Sequence, residues 1–353
     1  MRKGKRLIAW IMAVVMLFTI CVFGGNGTAE AAATTPVAKH GRLSVKGADL
    51  VDSKRNKFQL RGISTHGINW DVGSPYVNKK AFKTLRDDWG VNAIRLAMYT
   101  EEYNGYCSGG SQAKLRKLVD KGVGYATDLG MYAIIDWHIL SDGNPNKNKA
   151  QAKKFFTTMA KKYKNNKNVI YEICNEPNGC GWKEIKSYAT DIIKTIRKYD
   201  KKAVIIVGTP TWSQLGTDGT SNEVADSPIK GYKNIMYSLH FYASEWAHNE
   251  YLPAKVAYAR KKKLPIIVSE FGLSPASGDG AINKASADKW MKLLNKYNIS
   301  YFCWSLSNKN ESASLLKPST KKTSGWKSGD LSTAGKYIKK KYLARKKALG
   351  KKA

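Results

Sequence analysis

Two hydrophobic patterns alternate along most of the chain. Short apolar, β-branched runs predict strands at 60–65, 91–96, 131–137, 168–175, 203–207, 235–240, 264–270 and 299–305. Several are apolar at nearly every position, as expected of strands covered on both faces. Helical patterns fall between them at about 79–89, 112–129, 148–164, 182–199, 252–262, 284–297 and 332–343. The connection 209–232 is rich in Gly, Thr, Asp and Ser and reads as a long loop. Ahead of the first strand, Leu43 to Leu60 reads as a hairpin with a Lys-Gly-Ala-Asp turn.

Eight strands in strict alternation with helices predict an α/β fold, a (β/α)8 TIM barrel with the N-terminal hairpin closing its bottom. The competing arrangement is a doubly wound open sheet. That fold carries a Gly-rich phosphate loop after its first strand, and none occurs here. With no internal repeat and no Pro/Thr/Ser-rich linker, the pattern gives one barrel domain over 40–343 and a basic tail over 344–353.

The first residues follow a different pattern. Arg2, Lys3, Lys5 and Arg6 precede an apolar run from Leu7 to about Gly24, and small residues follow at Ala29, Ala31, Ala32 and Ala33. This is the form of a secretory signal peptide over 1–31, cut at about Ala31 to Ala33. The apolar run is short for a membrane span. The mature chain is therefore expected to be secreted and extracellular. Cys21 would leave with the leader, while Cys107, Cys174, Cys180 and Cys303 remain, and their spacing suits no zinc cluster. Cys174 and Cys303 fall in predicted strands and read as buried thiols. Any disulfide pairing among the four stays open.

The formal net charge is +33, and a leader with four basic residues and one acidic one would leave +30. Lys and Arg are spread over the whole chain without a nucleic-acid motif, so no nucleic-acid partner is expected. The densest cluster, Lys336 to Lys352, contains no acidic residue. It reads either as a solvated, frayed end or as a segment that adheres to an anionic polymer or cell surface.

Charge changes the picture more at two strand ends. Glu176 closes Asn-Val-Ile-Tyr-Glu-Ile-Cys-Asn-Glu, and Glu270 closes Leu-Pro-Ile-Ile-Val-Ser-Glu. Desolvation opposes a carboxylate there unless partners compensate. In a barrel, the C-terminal strand ends form one rim. On that rim the pattern places His66 and Trp70, Arg95 and Tyr99, Asp136 and His138, Asn175 and Glu176, Trp212, His240 and Tyr242, Glu270, and Trp304. Each alone would more often be a core or salt-bridge residue. Together they supply what glycosidic bond cleavage needs: two carboxyl groups, aromatic faces for sugars, and polar groups for hydroxyls. Metal catalysis would also use histidines and acids, but no His-x-His or His-Glu-x-x-His spacing occurs. No metal or other cofactor is expected.

These segments also resemble a known family. Leu-Arg-Gly-Ile-Ser-Thr-His-Gly (60–67), Asn-Ala-Ile-Arg-Leu (92–96), Ile-Ile-Asp-Trp-His-Ile-Leu (134–140), Tyr-Glu-Ile-Cys-Asn-Glu-Pro-Asn-Gly (171–179), Val-Gly-Thr-Pro-Thr-Trp-Ser-Gln (207–214), Tyr-Ser-Leu-His-Phe-Tyr-Ala (237–243), Val-Ser-Glu-Phe-Gly (268–272) and Trp-Ser-Leu-Ser-Asn-Lys-Asn-Glu-Ser (304–312) follow one another in order from about 40 to 340. The ordered set resembles glycoside hydrolase family 5, and is most similar to its secreted bacterial endoglucanases.

The resemblance implies a retaining endo-β-1,4-glucanase, a monomer acting on cellulose or soluble β-glucan. Endo-hydrolases of mannan, mixed-linkage glucan or chitosan share these features, and a non-catalytic glycan-binding barrel would have lost one of the two glutamates. Glu176 would be the proton donor and Glu270 the nucleophile. Asn175 would hold the sugar 2-hydroxyl, Arg95 and Tyr242 would position Glu270, and His138 and His240 would line the cleavage point. His66, Trp70, Tyr99 and Trp304 would bind sugars on the non-reducing side, with Lys309, Glu311 and the loop at Ala276 further out. Trp212 would stack beyond the cleaved bond. Phe271, where many members carry Trp, and the heavy lysine load depart from the family pattern.

Overall fold

The computed structural model describes residues 35–350. The expected leader lies outside the described residues. Among them, no helix is long and apolar enough to cross a membrane.

Eight parallel strands close into a barrel: β3 (Arg61–Thr65), β4 (Ala93–Tyr99), β5 (Tyr132–His138), β6 (Val169–Glu172), β7 (Ile205–Val207), β8 (Ile235–Tyr242), β9 (Ile266–Gly272) and β10 (Tyr301–Leu306). Each pairs with its sequence neighbours, and β10 closes the ring on β3. The (β/α)8 expectation therefore holds. All eight are buried at every position, as their continuous apolar runs require.

The helices lie outside. After the short α1 (Pro36–His40), α2 (Lys79–Trp89), α3 (Gln112–Asp128), α4 (Lys149–Tyr163) and α5 (Trp182–Arg197) match the predicted positions within two residues. Their starts are capped where the sequence offers a cap. Asn78 accepts from the Ala81 amide, and Ser111 from that of Lys114. The long loop 209–232 contains only two short helical turns, α6 (Pro210–Ser213) and α7 (Glu223–Asp226). Helices α8 (Trp246–Lys261) and α9 (Lys284–Tyr297) follow.

The barrel has two interior halves. At the bottom, β1 (Ser44–Lys46) and β2 (Asp49–Val51) form the expected hairpin around Gly47, whose φ of +59 suits the first position of a type II′ turn. Leu43, Leu50, Phe58 and Leu60 pack there against Ala93, Tyr132, Ile134, Ile170, Val204, Ile206, Met236, Ile267 and Phe302. The plug is apolar. Phe302 crosses over Gly62, where an added Cβ would lie 2.0 Å from its ring. The upper half is polar and forms the site.

Two boundaries differ from the sequence reading. Helix α8 begins six residues before the expected start at 252, with Pro253 inside it rather than in its first turn. The C-terminal end is the larger correction. Helix α10 (Thr333–Gly350) continues through most of the segment read as a basic tail at 344–353. Tyr337, Ile338 and Tyr342 recur on one buried face beneath the lysines. The Tyr342 hydroxyl donates to the Gly62 carbonyl at 2.8 Å, and Arg345 Nε donates to Gln59 at 2.8 Å. The four remaining cysteines are free thiols, with Cys174 and Cys303 buried as expected.

This anchoring gives a test. Tyr342→Phe removes one buried hydrogen bond and should cost about 1 kcal/mol in denaturant unfolding. A change at Leu343, which is 37 % exposed, should stay within about 0.5 kcal/mol.

Candidate active site

Arg95 stands in the middle of β4 and is fully buried. An isolated guanidinium there would be strongly destabilising, so its donors must all be engaged. Nε donates to Glu172 at 2.7 Å, Nη1 to Glu270 at 2.9 Å and to Ser64 at 3.3 Å, and Nη2 to Asn175 at 2.6 Å. Asp136 lies 3.1 Å from Nη2. Burial works against the charge of Arg95, but Asp136, Glu172 and Glu270 outweigh it and hold its pKa above the ordinary value.

Three carboxyl groups thus touch one guanidinium, and a fourth, Glu176, feels its charge without touching it. Asp136 is pushed up to about 7 by desolvation, with Arg95 pulling it back. Burial also raises Glu172. Glu176 is pushed up to about 8, chiefly by desolvation, with Arg95 opposing and Asp136 and Glu172 adding like-charge repulsion. Glu270 is bound more directly. Arg95 donates to Oε2, and the Tyr242 hydroxyl donates to Oε1 at 2.7 Å. Glu176, which burial keeps protonated, thus stands as a proton donor beside a Glu270 whose two oxygens are fixed by a cation and a phenol.

The two histidines are held neutral. Burial lowers His240 to about 4. Its Nδ1 lies 2.7 Å from Glu176 Oε1, and its Nε2 lies 2.9 Å from Ser269 Oγ. Ser269 Oγ donates to Glu172 Oε1 at 2.6 Å and also meets Ser238 Oγ. With Glu176 protonated, the network has one direction: Glu176 to His240 Nδ1, His240 Nε2–H to Ser269, and Ser269 to Glu172. Burial lowers His138 to about 3, with Arg95 adding to the effect. Asn175 Nδ2 donates to Ile139 O at 3.0 Å and to His138 Nε2 at 3.2 Å, so the His138 proton sits on Nδ1, 2.6 Å from Asp136.

Above this floor the cleft has a volume of about 650 Å³. Glu176, Glu270, His138, His240 and Tyr242 form its centre. Trp304 stacks on His138 at 5.3 Å and 22°, while Tyr99 lies 4.1 Å from His138 and 4.6 Å from Trp70. His66 sits between Trp70 and Trp304. Its Nδ1 accepts from the Gly67 amide, which leaves Nε2–H facing Glu311 at 3.7 Å. Lys309 pairs with Glu311 at 2.5 Å. Ala276, whose amide donates to Glu245, and Trp212, which is 47 % exposed, complete the predicted wall. Asn175, expected to hold the sugar 2-hydroxyl, is fully buried beneath the floor, as is Arg95.

The sequence reading passed over Glu172 and Ser269. Glu172 lies inside the strand that leads to Glu176 and was read as part of an apolar run. Ser269 was hidden by strand geometry. Alternation would point Ser269 and Glu270 to opposite faces. From Ser238 to His240 the β8 partner advances two residues while β9 advances three, and β10 shows the same mismatch from Tyr301 to Cys303. This bulge turns both side chains inward, and periodicity cannot reveal it. Glu102, Gln214 and Glu245 also line the cleft from loops that carry no periodic signal, and His248 lines it from the first turn of α8.

One oxygen each from Glu176 and Glu270 and one His240 ring nitrogen lie within 4.8 Å of one another. That spacing also suits a cation. Here, however, the Glu270 oxygens face Arg95 and Tyr242, and His240 Nδ1 faces Glu176, so these atoms are already paired with one another.

A barrel with two such carboxyl groups and an aromatic cleft defines a glycoside hydrolase type of site. The model of the cellulase family, glycosyl hydrolase family 5, matches residues 51–310. An endoglucanase of Clostridium saccharobutylicum is 47 % identical over 341 residues, covering 95 % of this chain and 72 % of that protein. Endoglucanase 5 of Pectobacterium carotovorum is 44 % identical over 325 residues, covering 92 % of this chain and 62 % of its own length. Among solved structures, cellulase Cel5C_n superposes with a TM-score of 0.82 at 39 % identity, over 88 % of this chain and 94 % of that one. The catalytic domain of Thermobifida fusca endoglucanase Cel5A gives 0.81 at 36 %, over 88 % and 99 %. The chain belongs to glycosyl hydrolase family 5.

The protonation of Glu176 has a stability consequence. Its folded pKa of about 8 lies above the ordinary 4.5. Between those values the folded state keeps a proton that the unfolded chain has lost, so this group's contribution is full below about pH 4.5 and declines as pH rises towards 8. Glu176→Gln removes that dependence. The variant should gain stability over the wild type at pH 8 relative to pH 5, and an equal difference in melting temperature at both would contradict the assignment.

Proposed function

We propose that the protein is a secreted, retaining endo-β-1,4-glucanase that cleaves internal bonds of cellulose or soluble β-glucan. The observation that carries this reading is the pairing of a protonated Glu176 with an Arg95- and Tyr242-bound Glu270, their nearest oxygens within 4.8 Å. Inverting enzymes keep their carboxyl groups roughly 6.5–9.5 Å apart to admit a water, and retaining ones about 5–5.5 Å apart. The endoglucanase relatives, and the cellotetraose complex of the T. fusca domain, support β-1,4-glucan as the substrate. The leader pattern at the N-terminus supports export.

In the first step Glu270 attacks the anomeric carbon while Glu176 passes its proton to the departing glycosidic oxygen. The C–O bond breaks and a glycosyl ester forms on Glu270. Glu176, now ionised, takes a proton from an incoming water, which attacks the same carbon and frees Glu270. His240 holds the Glu176 carboxyl in place through both steps. Arg95 and Tyr242 stabilise Glu270 as it leaves.

Trp70, Tyr99, Trp304 and His66 bind the non-reducing side, and Lys309 and Glu311 take hydroxyls beyond it, with Ala276 at the border. Trp212 stacks on the sugar past the cleaved bond.

Glu270→Gln should abolish release of reducing ends from carboxymethyl cellulose while the folded protein still binds cello-oligosaccharides. Glu176→Ala should slow polymer cleavage by about 10²–10⁴-fold yet spare aryl cellobiosides with good leaving groups, which need little protonation. In the wild type, kcat/KM on polymer should fall as pH rises through about 8. Equal losses of Glu176→Ala on both substrate types would contradict the acid role.

A further inference from the structure

Trp246 opens helix α8 and is 69 % exposed. An indole contributing to the core would be buried, and a Trp this exposed is an unusual surface residue. Its neighbours Glu245 and His248 both line the cleft, together with Trp212 and Gln214. Trp246 therefore stands beside the rim of the cleft.

Five contacts join this rim into one surface. The Trp246 ring meets Tyr251 edge to face at 5.8 Å, and Tyr251 is itself 38 % exposed. The Tyr251 ring packs on the backbone of Gly219, where an added Cβ would lie 2.9 Å from it. Gly219 belongs to the loop that carries Trp212. That loop is tied internally by Thr211 Oγ1 donating to Thr217 O at 3.1 Å, and tied to helix α8 by Lys255 Nζ donating to the carbonyls of Gln214, at 3.2 Å, and Asp218. These contacts thus join Tyr251 and Trp246 to the loop that carries Trp212.

We infer that the product side of the cleft continues past Trp212 onto a platform of Tyr251 and Trp246 that binds further glucose units of a β-glucan chain. The inference rests on the glucanase reading above. The chemistry fits a pyranose chain, whose C–H faces stack on flat rings while its equatorial hydroxyls meet polar groups at the edge. His248 supplies one such group. Its Nδ1 accepts from the Tyr242 amide at 2.9 Å, so the proton sits on Nε2. The platform favours long chains, because only they reach it while occupying the centre of the cleft.

The test uses Glu270→Gln as the background, with binding of cellotriose and cellohexaose followed by calorimetry. Adding Trp246→Ala should weaken cellohexaose about three- to tenfold, the loss of one stacked face, and leave cellotriose unchanged. Adding Tyr251→Ala should have a smaller effect in the same direction. Melting curves for each variant separate lost binding from lost folding. Equal cellohexaose affinity with and without Trp246 would overturn the platform alone. A Glu270→Gln protein that is folded but binds neither sugar would overturn the glucanase reading, and the platform with it.

Discussion

The structure depends on one cation in the wrong place for a cation. Arg95 sits at the centre of a barrel whose lower half is an apolar plug, and every direction available to its guanidinium ends on an oxygen. Asp136, Glu172, Glu270, Asn175 and Ser64 come from four other strands or their ends, so one side chain sets their relative positions. Such a cluster is weak evidence for stability, since a well-packed apolar core would often serve as well. Breaking it by removing one partner is costly. Its value lies in geometry: residues far apart in sequence are held to within a hydrogen bond of one another.

The same cluster divides the protons. One guanidinium cannot offset the burial of every carboxyl group around it, and Asp136, Glu172 and Glu176 are all raised. Glu270 has a direct bond to it and a second from Tyr242. Glu176 has neither and faces the neutral His240. Burial then raises Glu176 while Glu172 and Asp136 repel its charge. Acid and nucleophile are therefore assigned by the surroundings of two chemically identical side chains. The chain from Glu176 through His240 and Ser269 to Glu172 links the two halves of the site back to Arg95.

Much of this was legible in the residues. The eight strands and their order followed from continuous apolar runs, because a parallel sheet buried on both faces leaves a strong signal. Glu176, Glu270, His138, His240 and Trp304 were found because a barrel collects strand ends at one rim. Three features escaped for physical reasons. Ser269 faces inward only because β9 carries an extra residue. The lysines of helix α10 hide a narrow buried face that ends at Tyr342 and Arg345. The cleft walls at Glu102, Gln214 and Glu245 lie on loops, where position is set by tertiary contacts rather than by local period.

Glu176 keeps its proton at neutral pH in the resting enzyme. A carbon-13 titration of glutamate-labelled protein reads this directly, with the Glu176 carboxyl signal assigned by its absence in Glu176→Gln. The account predicts a Glu176 midpoint near pH 8. A midpoint near 4.5, the ordinary glutamate value, would contradict it.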